Sequence, residues 1–137
     1  MNKLVFIVED NLAQQKMLQV HFEEMLGNYQ VRTFANPEDM FAHLAEKPFA
    51  IVLDHFFADR SKNGLDYLKE LKKGNASIPV IYYTTSNEES VRDAALKLGV
   101  EQYIIKDSAS LVRLRTALDL LEEKKSKKGF FKNLFGK

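Results

Sequence analysis

Apolar residues recur along this chain with two different periods. Five short runs are rich in valine, isoleucine, phenylalanine and tyrosine, and the central one, residues 49–54, is apolar until it ends in Asp54. An uninterrupted apolar run of this length is typical of a strand that is covered on both faces. Between the runs, apolar positions follow i, i+3, i+4 and i+7, which predicts amphipathic helices. The predicted strands span residues 3–8, 29–34, 49–54, 78–83 and 101–105.

The alternation of five strands with five helices predicts an α/β fold. Asp10 or Asn11 is expected to cap the first helix, Asn36 the second, and Ser86 or Asn87 the fourth. Strands and helices at this spacing indicate right-handed βαβ units. We therefore expect a doubly wound, five-stranded parallel sheet with helices on both faces and the flavodoxin-like strand order 2-1-3-4-5.

Composition narrows the class of protein. The chain has 137 residues, of which 45% are hydrophobic and 28% charged, and this fits one domain with a sizeable core. The absence of cysteine excludes disulfides, thiolate metal sites and thiol catalysis. No apolar run approaches the roughly 20 residues that cross a bilayer, and the amino terminus lacks the layout of a cleaved signal. We expect a cytoplasmic protein.

Charge is distributed unevenly along the chain. Residues 124–137 hold six of the 20 basic residues and none of the 19 acidic residues. The remaining 14 basic and 19 acidic residues give residues 1–123 a formal charge of −5. An acidic body argues against nucleic-acid binding through that body, because phosphate contacts dominate such affinity. We expect a folded domain over residues 1–123 and a basic tail over residues 124–137.

The tail is amphipathic as well as basic. Phe130, Phe131, Leu134 and Phe135 fall on one helical stripe that excludes the lysines. Three interpretations stay open. The tail is a solvated disordered end, or residues 129–137 contact acidic lipid on the inner face of the membrane, or they dock into a groove of a partner or of a second copy in a homodimer.

Reactive side chains lie at the carboxyl ends of four predicted strands. Glu9 and Asp10 follow strand 1, Asp54 ends strand 3, Thr84 ends strand 4 and Lys106 ends strand 5. In a parallel sheet these ends share one edge, so we expect three carboxylates to converge there and Asp54 to face water. Such a cluster repels itself unless cations offset it. A Mg²⁺ site typically has only a few carboxylate ligands, and water or phosphate supplies the others.

This combination of groups suits phosphoryl transfer to a carboxylate. An aspartate can act as nucleophile and carry a phosphoryl group as an acyl phosphate. The transferred group spreads negative charge over its oxygens, so catalysis is mostly positioning and charge neutralisation. Mg²⁺ and Lys106 would each neutralise one of those oxygens, and Thr84 would hydrogen-bond to a third.

These residues, in this order and on these strand ends, resemble the receiver domain of two-component response regulators over about residues 3–122. The resemblance implies that Asp54 accepts phosphate from a histidine kinase or a phosphotransfer protein. It also implies that Mg²⁺ is bound by Asp10, Asp54 and the backbone carbonyl of Phe56, with Glu9 acting through water. Further matching segments are residues 63–65, 79–81, 95–99 and 103–106.

The resemblance further implies a conformational switch. Thr84 would move toward the phosphoryl group, and Tyr103 would turn inward to fill the vacated space. This would repack the face made by helix 4, strand 5 and helix 5, which partners read. Such a protein is not an enzyme beyond catalysing its own phosphorylation and dephosphorylation.

Several positions depart from the family pattern. The loop over residues 57–62 lacks the usual proline and is about two residues longer, and Glu9 stands where aspartate is more usual. Thr85 replaces a smaller residue near the phosphate. Asp107 replaces a proline that often follows a cis bond, so the Lys106–Asp107 peptide is expected to be either trans or strained.

Other functions place different demands on these residues. A degenerate receiver that acts only as a scaffold is the main alternative, because of the altered loops. A phosphatase of the haloacid-dehalogenase type would need an acid two residues after its nucleophile, where this chain has Phe56. A flavin-binding protein would need a first loop that accepts phosphate, whereas Glu9 and Asp10 repel it. His55 is expected to point away from Asp54 as surface or cover, and His21 and His43 to be structural.

Overall fold

The structure, a computed structural model, describes residues 3–134, except for the side chains of residues 25, 26 and 131. Its strands form one parallel sheet in the order β2-β1-β3-β4-β5, which confirms the predicted topology. The strands are β1 (Lys3–Val8), β2 (Tyr29–Phe34), β3 (Ala50–Leu53), β4 (Val80–Thr84) and β5 (Gln102–Ile105). The helices are α1 (Leu12–Val20), α2 (Pro37–Ala42), α3 (Gly64–Gly74), α4 (Glu89–Lys97) and α5 (Ser110–Leu134).

Two hydrophobic layers cover the two faces of the sheet. Successive strand residues point to opposite faces, so Val5 and Ile7 join one layer while Phe6 and Val8 join the other. The first layer contains the buried residues of α1 and α5, and the second contains those of α2, α3 and α4. All four residues of β3 are buried, as expected for a central parallel strand.

Side chains at the helix starts confirm two of the predicted caps and correct a third. Asn11 Oδ1 accepts a hydrogen bond from the Gln14 amide at 3.0 Å, and Asn36 caps α2 in the same way. Neither Ser86 nor Asn87 caps α4, which begins at Glu89. The reason is local, because Ser86 is held in the preceding loop, where its amide donates to Thr84 Oγ1 at 3.2 Å.

The first helical segment ends at Gly27, as predicted, whereas the last helix is longer than predicted. A π-helical turn, His21–Leu26, continues α1 and ends at Gly27, whose φ of 75° is the left-handed conformation that glycine adopts most easily. Helix α5 continues without a break through the tail to Leu134. The boundary between residues 123 and 124 stays a prediction.

The predicted apolar stripe of the tail is described only in part. Phe130 and Leu134 are 62% and 60% exposed. The Phe131 side chain and Phe135 lie outside the described residues. Among the helices that the structure describes, none is long and apolar enough to span a membrane.

Candidate functional site

Three charged side chains meet at the carboxyl edge of the sheet. Asp54 directly follows β3, Glu9 follows β1 and Lys106 follows β5. Lys106 Nζ lies 2.9 Å from Asp54 Oδ2 and 2.7 Å from Glu9 Oε2. The sheet order explains the meeting of the two acids, because β1 and β3 are neighbours.

The site is more enclosed than the sequence predicted. We expected Asp54 to face water, but it is only 6% exposed and Glu9 only 4%. The expectation is wrong because Lys106 reaches across the edge of the sheet and pairs with both carboxylates at once. Little of Asp54 is therefore in direct contact with solvent.

Burial and neighbouring groups shift the pKa values of Glu9 and Asp54 in opposite directions. Burial, together with the neighbouring Asp54, raises the pKa of Glu9 to about 7. Burial also opposes ionisation of Asp54, yet hydrogen bonding with Glu9 and the charge of Lys106 outweigh it and lower the pKa of Asp54. The same two carboxylates raise the pKa of Lys106 in spite of its burial. Of the three groups, Glu9 is therefore the one that changes its protonation near neutral pH, while Asp54 and Lys106 keep their charges.

Only two of the three predicted carboxylates converge. Asp10 is partly buried and has no hydrogen bond or ion pair with the residues that the structure describes. Within residues 3–134 no three His, Asp or Glu side chains are placed to share a metal ion. Adjacent residues of an extended segment project to opposite sides, so the inward placement of Glu9 accounts for the absence of Asp10 from the cluster.

The residues around Asp54 nevertheless offer the type of ligand atom that a hard divalent cation binds. Glu9, Asp54 and the adjacent Asp10 offer carboxylate oxygens, and Phe56 offers a backbone carbonyl two residues after Asp54. Oxygen ligands of this type suit Mg²⁺.

Thr84 and Tyr103 converge on one residue of the β4–α4 loop, Ser86. Thr84 is fully buried, and its Oγ1 accepts from the Ser86 amide at 3.2 Å. The Tyr103 hydroxyl donates to the Ser86 carbonyl at 2.8 Å. Thr84 also contributes, after Glu9 and Lys106, to the lowering of the pKa of Asp54. The loop is thus connected to the acid pocket from one side and to β5 from the other.

His55 is buried and makes specific hydrogen bonds, whereas the sequence predicted only a surface or covering position. Its main-chain amide donates to Asp54 Oδ1 at 2.6 Å, and its ring Nδ1 lies 2.7 Å from the hydroxyl of Tyr82. Burial lowers the pKa of His55. The ring of Tyr82 stacks on that of Tyr103 with centroids 5.4 Å apart. The signal in the sequence was a tyrosine at the buried position 82, whose hydroxyl requires a partner.

Gly64 allows the start of α3 to lie close to Asp54 and Tyr82. A Cβ at this position would overlap with the main-chain carbonyl of Asp54 and with the hydroxyl of Tyr82. Helix α3 can therefore begin against the end of β3 only with a glycine here. Asn63 caps the helix and forms a reciprocal capping box with Asp66.

The β5–α5 connection uses Asp107 in place of the proline that the family pattern suggested. None of the peptide bonds that the structure describes is cis, so the Lys106–Asp107 bond is trans. Asp107 Oδ1 accepts from the Ala109 amide at 2.9 Å, and its Oδ2 pairs with Arg113 at 2.8 Å. These contacts tie the residue after Lys106 to the first turns of α5, which begins at Ser110.

The sequence is similar to those of known regulators. A family model described as the response regulator receiver domain matches residues 5–119. The probable C4-dicarboxylate response regulator DctR of Halalkalibacterium halodurans is 28% identical over 120 residues, which are 87% of this chain and 51% of that protein. The alkaline phosphatase synthesis transcriptional regulatory protein PhoP of Bacillus subtilis is 29% identical over 107 residues, which are 77% of this chain and 43% of that protein. The chain thus spans about half the length of these relatives.

Solved structures show the same fold. A two-component response regulator from Clostridium difficile superposes with a TM-score of 0.80 at 20% identity, over 90% of this chain and 98% of that one. The Mn²⁺-bound form of response regulator Rcp1 superposes with a TM-score of 0.69 at 23% identity, over 90% and 92% of the two chains. With the family model covering most of the chain, the protein belongs to the response regulator receiver domain family.

Proposed function

We propose that Asp54 is the phosphoacceptor of a signalling domain, and that a histidine kinase or a phosphotransfer protein supplies the phosphoryl group. The observation that carries this proposal is the contact of Asp54 Oδ2 with Lys106 Nζ at 2.9 Å, within a buried pocket that also contains Thr84. The lowered pKa of Asp54 keeps its carboxylate ionised and nucleophilic at neutral pH.

The reaction balances without any further reagent. An oxygen of Asp54 attacks phosphorus, the bond from phosphorus to the donor nitrogen breaks, and the donor imidazole leaves with the electron pair. The product is an acyl phosphate on Asp54. Lys106 then pairs with a phosphoryl oxygen in place of the carboxylate, and the Thr84 hydroxyl donates to another. Hydrolysis of this acyl phosphate by water resets the site, so the chemistry is confined to the protein's own modification.

Mg²⁺ is the proposed cofactor. Asp10, Asp54 and the Phe56 carbonyl would hold it, and Glu9 would act through a water molecule. When bound, the ion neutralises charge on the transferred group. One structural neighbour, response regulator Rcp1, is known in an Mn²⁺-bound form.

The surface beside Lys106 suits the approach of a helical donor. A cavity of about 540 Å³ opens there, with Met17, Thr85, Lys106 and Ser108 among its lining residues. Met17 is 45% exposed, and Leu12, at the start of the same helix, is 73% exposed. Apolar side chains at the mouth of a charged pocket favour a protein donor over a free phosphate ester.

Output is proposed to pass through the face of α4, β5 and α5. Thr84 and Tyr103 form the switch pair, because both bond to Ser86 and a shift of Thr84 toward a phosphoryl group releases one of those bonds. A cavity of about 280 Å³ lies beside Tyr103 on this face, and Ile105 at its edge is 37% exposed. The residues that line it are Asn87, Glu89, Arg92, Tyr103 and Ile105.

The carboxyl-terminal part of α5 is the second proposed contact surface. Lys124, Lys127, Lys128 and Lys132 are exposed on it, as is Leu134. A basic helix with exposed apolar residues suits a peripheral contact at the inner face of the membrane or the groove of a partner, a second copy included. Flotation with anionic vesicles against neutral vesicles separates these, because a protein groove shows no dependence on lipid charge.

Intact-mass spectrometry tests the phosphoacceptor. The protein is incubated with Mg²⁺ and acetyl phosphate, and a single phosphoryl adduct is expected. The Asp54→Asn variant should carry none. Asp93→Asn is the matched control, because Asp93 is an exposed carboxylate on α4, outside the acid pocket, and its replacement should leave the adduct unchanged. An adduct that persists in Asp54→Asn would refute the assignment.

A phosphorylation-independent scaffold is the second candidate. It is favoured by the closure of the pocket, in which Asp54 is 6% exposed and Lys106 is engaged by two acids. Beryllium fluoride, a mimic of the phosphoryl group, distinguishes the two candidates. Chemical-shift changes that spread from Asp54 to Tyr103 and α4 support the switch, whereas an unchanged spectrum together with an unchanged mass supports the scaffold.

A further inference from the structure

A second cavity lies at the opposite end of the sheet from Asp54. Its volume is about 900 Å³, and it opens where β1 begins, between the α2–β3 and α3–β4 loops and beside α5. Helix α5 closes one side because it runs antiparallel to the strands and passes this edge of the sheet. The residues that line the cavity are Lys3, Leu4, Leu44, Ala45, Lys47, Pro48, Phe49, Gly74, Asn75, Ala76, Ser77, Ile78, Pro79 and Lys125.

The charged side chains that line this cavity are all positive. Three lysines line it, and no carboxylate does. Lys3 pairs at 3.4 Å with Glu122, which lies outside the lining. Lys47 and Lys125 have no ion pair with any carboxylate in the described part of the chain. Three lysines against one flanking glutamate leave an excess of positive charge, which an anion would offset.

Two of these ammonium groups lie against the same ring. Lys125 Nζ is 4.4 Å and Lys3 Nζ 5.7 Å from the centroid of Phe49. Lys125 also donates a hydrogen bond to the Phe49 carbonyl at 3.4 Å. Burial, together with the charge of Lys3, lowers the pKa of Lys125. The ring thus holds two like charges side by side at the entrance of the cavity.

The third lysine occupies a strained position in the backbone. Lys47 has φ 55° and ψ 64° and is the only non-glycine residue with positive φ among those that the structure describes. Glycine or asparagine adopts this left-handed conformation more easily than lysine does. The conformation places Lys47 at the C-terminal end of the short 3-10 helix Leu44–Glu46, and the residue lines the cavity.

We propose that this cavity binds a small polyanion that carries phosphate groups, with at least two negative charges and a partly apolar body. The volume lies within the range of about 300–1,000 Å³ that is usual for small-ligand sites. Leu4, Leu44 and Ile78 supply apolar contact, and the lysines supply charge. The site is separate from Asp54, so binding does not depend on phosphorylation.

Titration with sodium pyrophosphate, followed by backbone amide NMR, tests the site. Saturable shifts are expected in residues 44–49 and 74–79, at constant ionic strength. Lys47→Gly and Lys125→Met should each weaken binding about fivefold, which corresponds to about 1 kcal/mol. Lys128→Met, which removes the same charge from the exposed part of α5, should leave the affinity unchanged.

The variants are chosen so that misfolding cannot imitate the result. Lys47→Gly relieves the strained conformation, so its melting temperature should equal or exceed that of the wild type. Lys125→Met removes the charge and keeps an unbranched side chain of similar length beside Phe49. Shifts that do not saturate, or a loss of affinity in Lys128→Met equal to that in Lys47→Gly, would overturn the proposal, since each indicates a diffuse charge effect. Asp54→Asn should bind pyrophosphate like the wild type, which separates this site from the proposed phosphoacceptor.

A phosphate-bearing ligand could come from solution or from a lipid headgroup, and two further probes distinguish these sources. Adenosine diphosphate represents the soluble class, and vesicles that contain phosphatidic acid represent the lipid class. Whichever probe loses affinity in Lys47→Gly but not in Lys128→Met occupies the cavity. If neither probe shows this difference, the proposal is wrong.

Discussion

Replacement of Glu9 by glutamine should increase the stability of the metal-free protein at pH 8 and leave it nearly unchanged at pH 5. Glu9 is enclosed beside Asp54, and its pKa of about 7 means that the folded state favours the neutral acid, whereas the unfolded chain ionises near 4.5. Between these two values the folded state binds more protons than the unfolded state. The stability that Glu9 contributes is therefore lost as the pH rises from about 4.5 to about 7.

The size of the effect follows from the two pKa values. A pKa of about 7 against an ordinary value of 4.5 corresponds to at most about 3 kcal/mol of unfolding free energy. The Glu9 side chain is only 5% exposed, so solvent screening does little to reduce this figure. Glutamine has a similar shape and remains neutral at every pH, so the Glu9→Gln variant should not lose stability across this range through position 9.

The assay is urea unfolding at pH 5, 6, 7 and 8 in the presence of a chelator, with wild type and variant measured in parallel. The lowered pKa of His55 acts in the opposite direction, because the unfolded chain protonates near 6.5 while the buried ring does not. Both proteins contain His55, so its contribution cancels when the unfolding free energy of one is subtracted from that of the other. A difference that stays constant from pH 5 to pH 8, or one that falls as the pH rises, would refute the assigned environment of Glu9.

Three further substitutions test the packing around the site by urea unfolding at pH 7. Tyr82→Phe should destabilise the protein by about 1–3 kcal/mol, because it leaves the buried Nδ1 of His55 unpaired; an unchanged midpoint would contradict this hydrogen bond. Gly64→Ala should unfold the protein or shift α3, whereas Gly74→Ala, where a Cβ meets no neighbour within 4 Å, is the matched control and should be neutral or stabilising. Asn63→Ala should cost about 1 kcal/mol through loss of the α3 cap, and a change below a few tenths would argue against the capping box.

The strands and the positions of the reactive residues could be predicted because both depend on local patterns, and the strand order followed from the doubly wound fold class. The apolar run that ends in Asp54 identified a central parallel strand, and the alternation of periods 2 and 3.6 identified the βαβ units. Once the strands were in order, their carboxyl ends had to bring Asp54 and Lys106 to one edge. Their separation of 2.9 Å agrees with that placement.

The sequence alone established the fold class, the acidic edge of the sheet and the basic character of the tail, since periodicity and charge are properties of the chain itself. Only the tertiary structure decided which acid turns toward Asp54, how deeply Lys106 covers it, and that His55 reaches Tyr82. It also decided that Lys3, Lys47 and Lys125, which are distant in sequence, line one cavity. These features depend on side-chain direction and on contacts between separate elements, which a linear pattern does not encode.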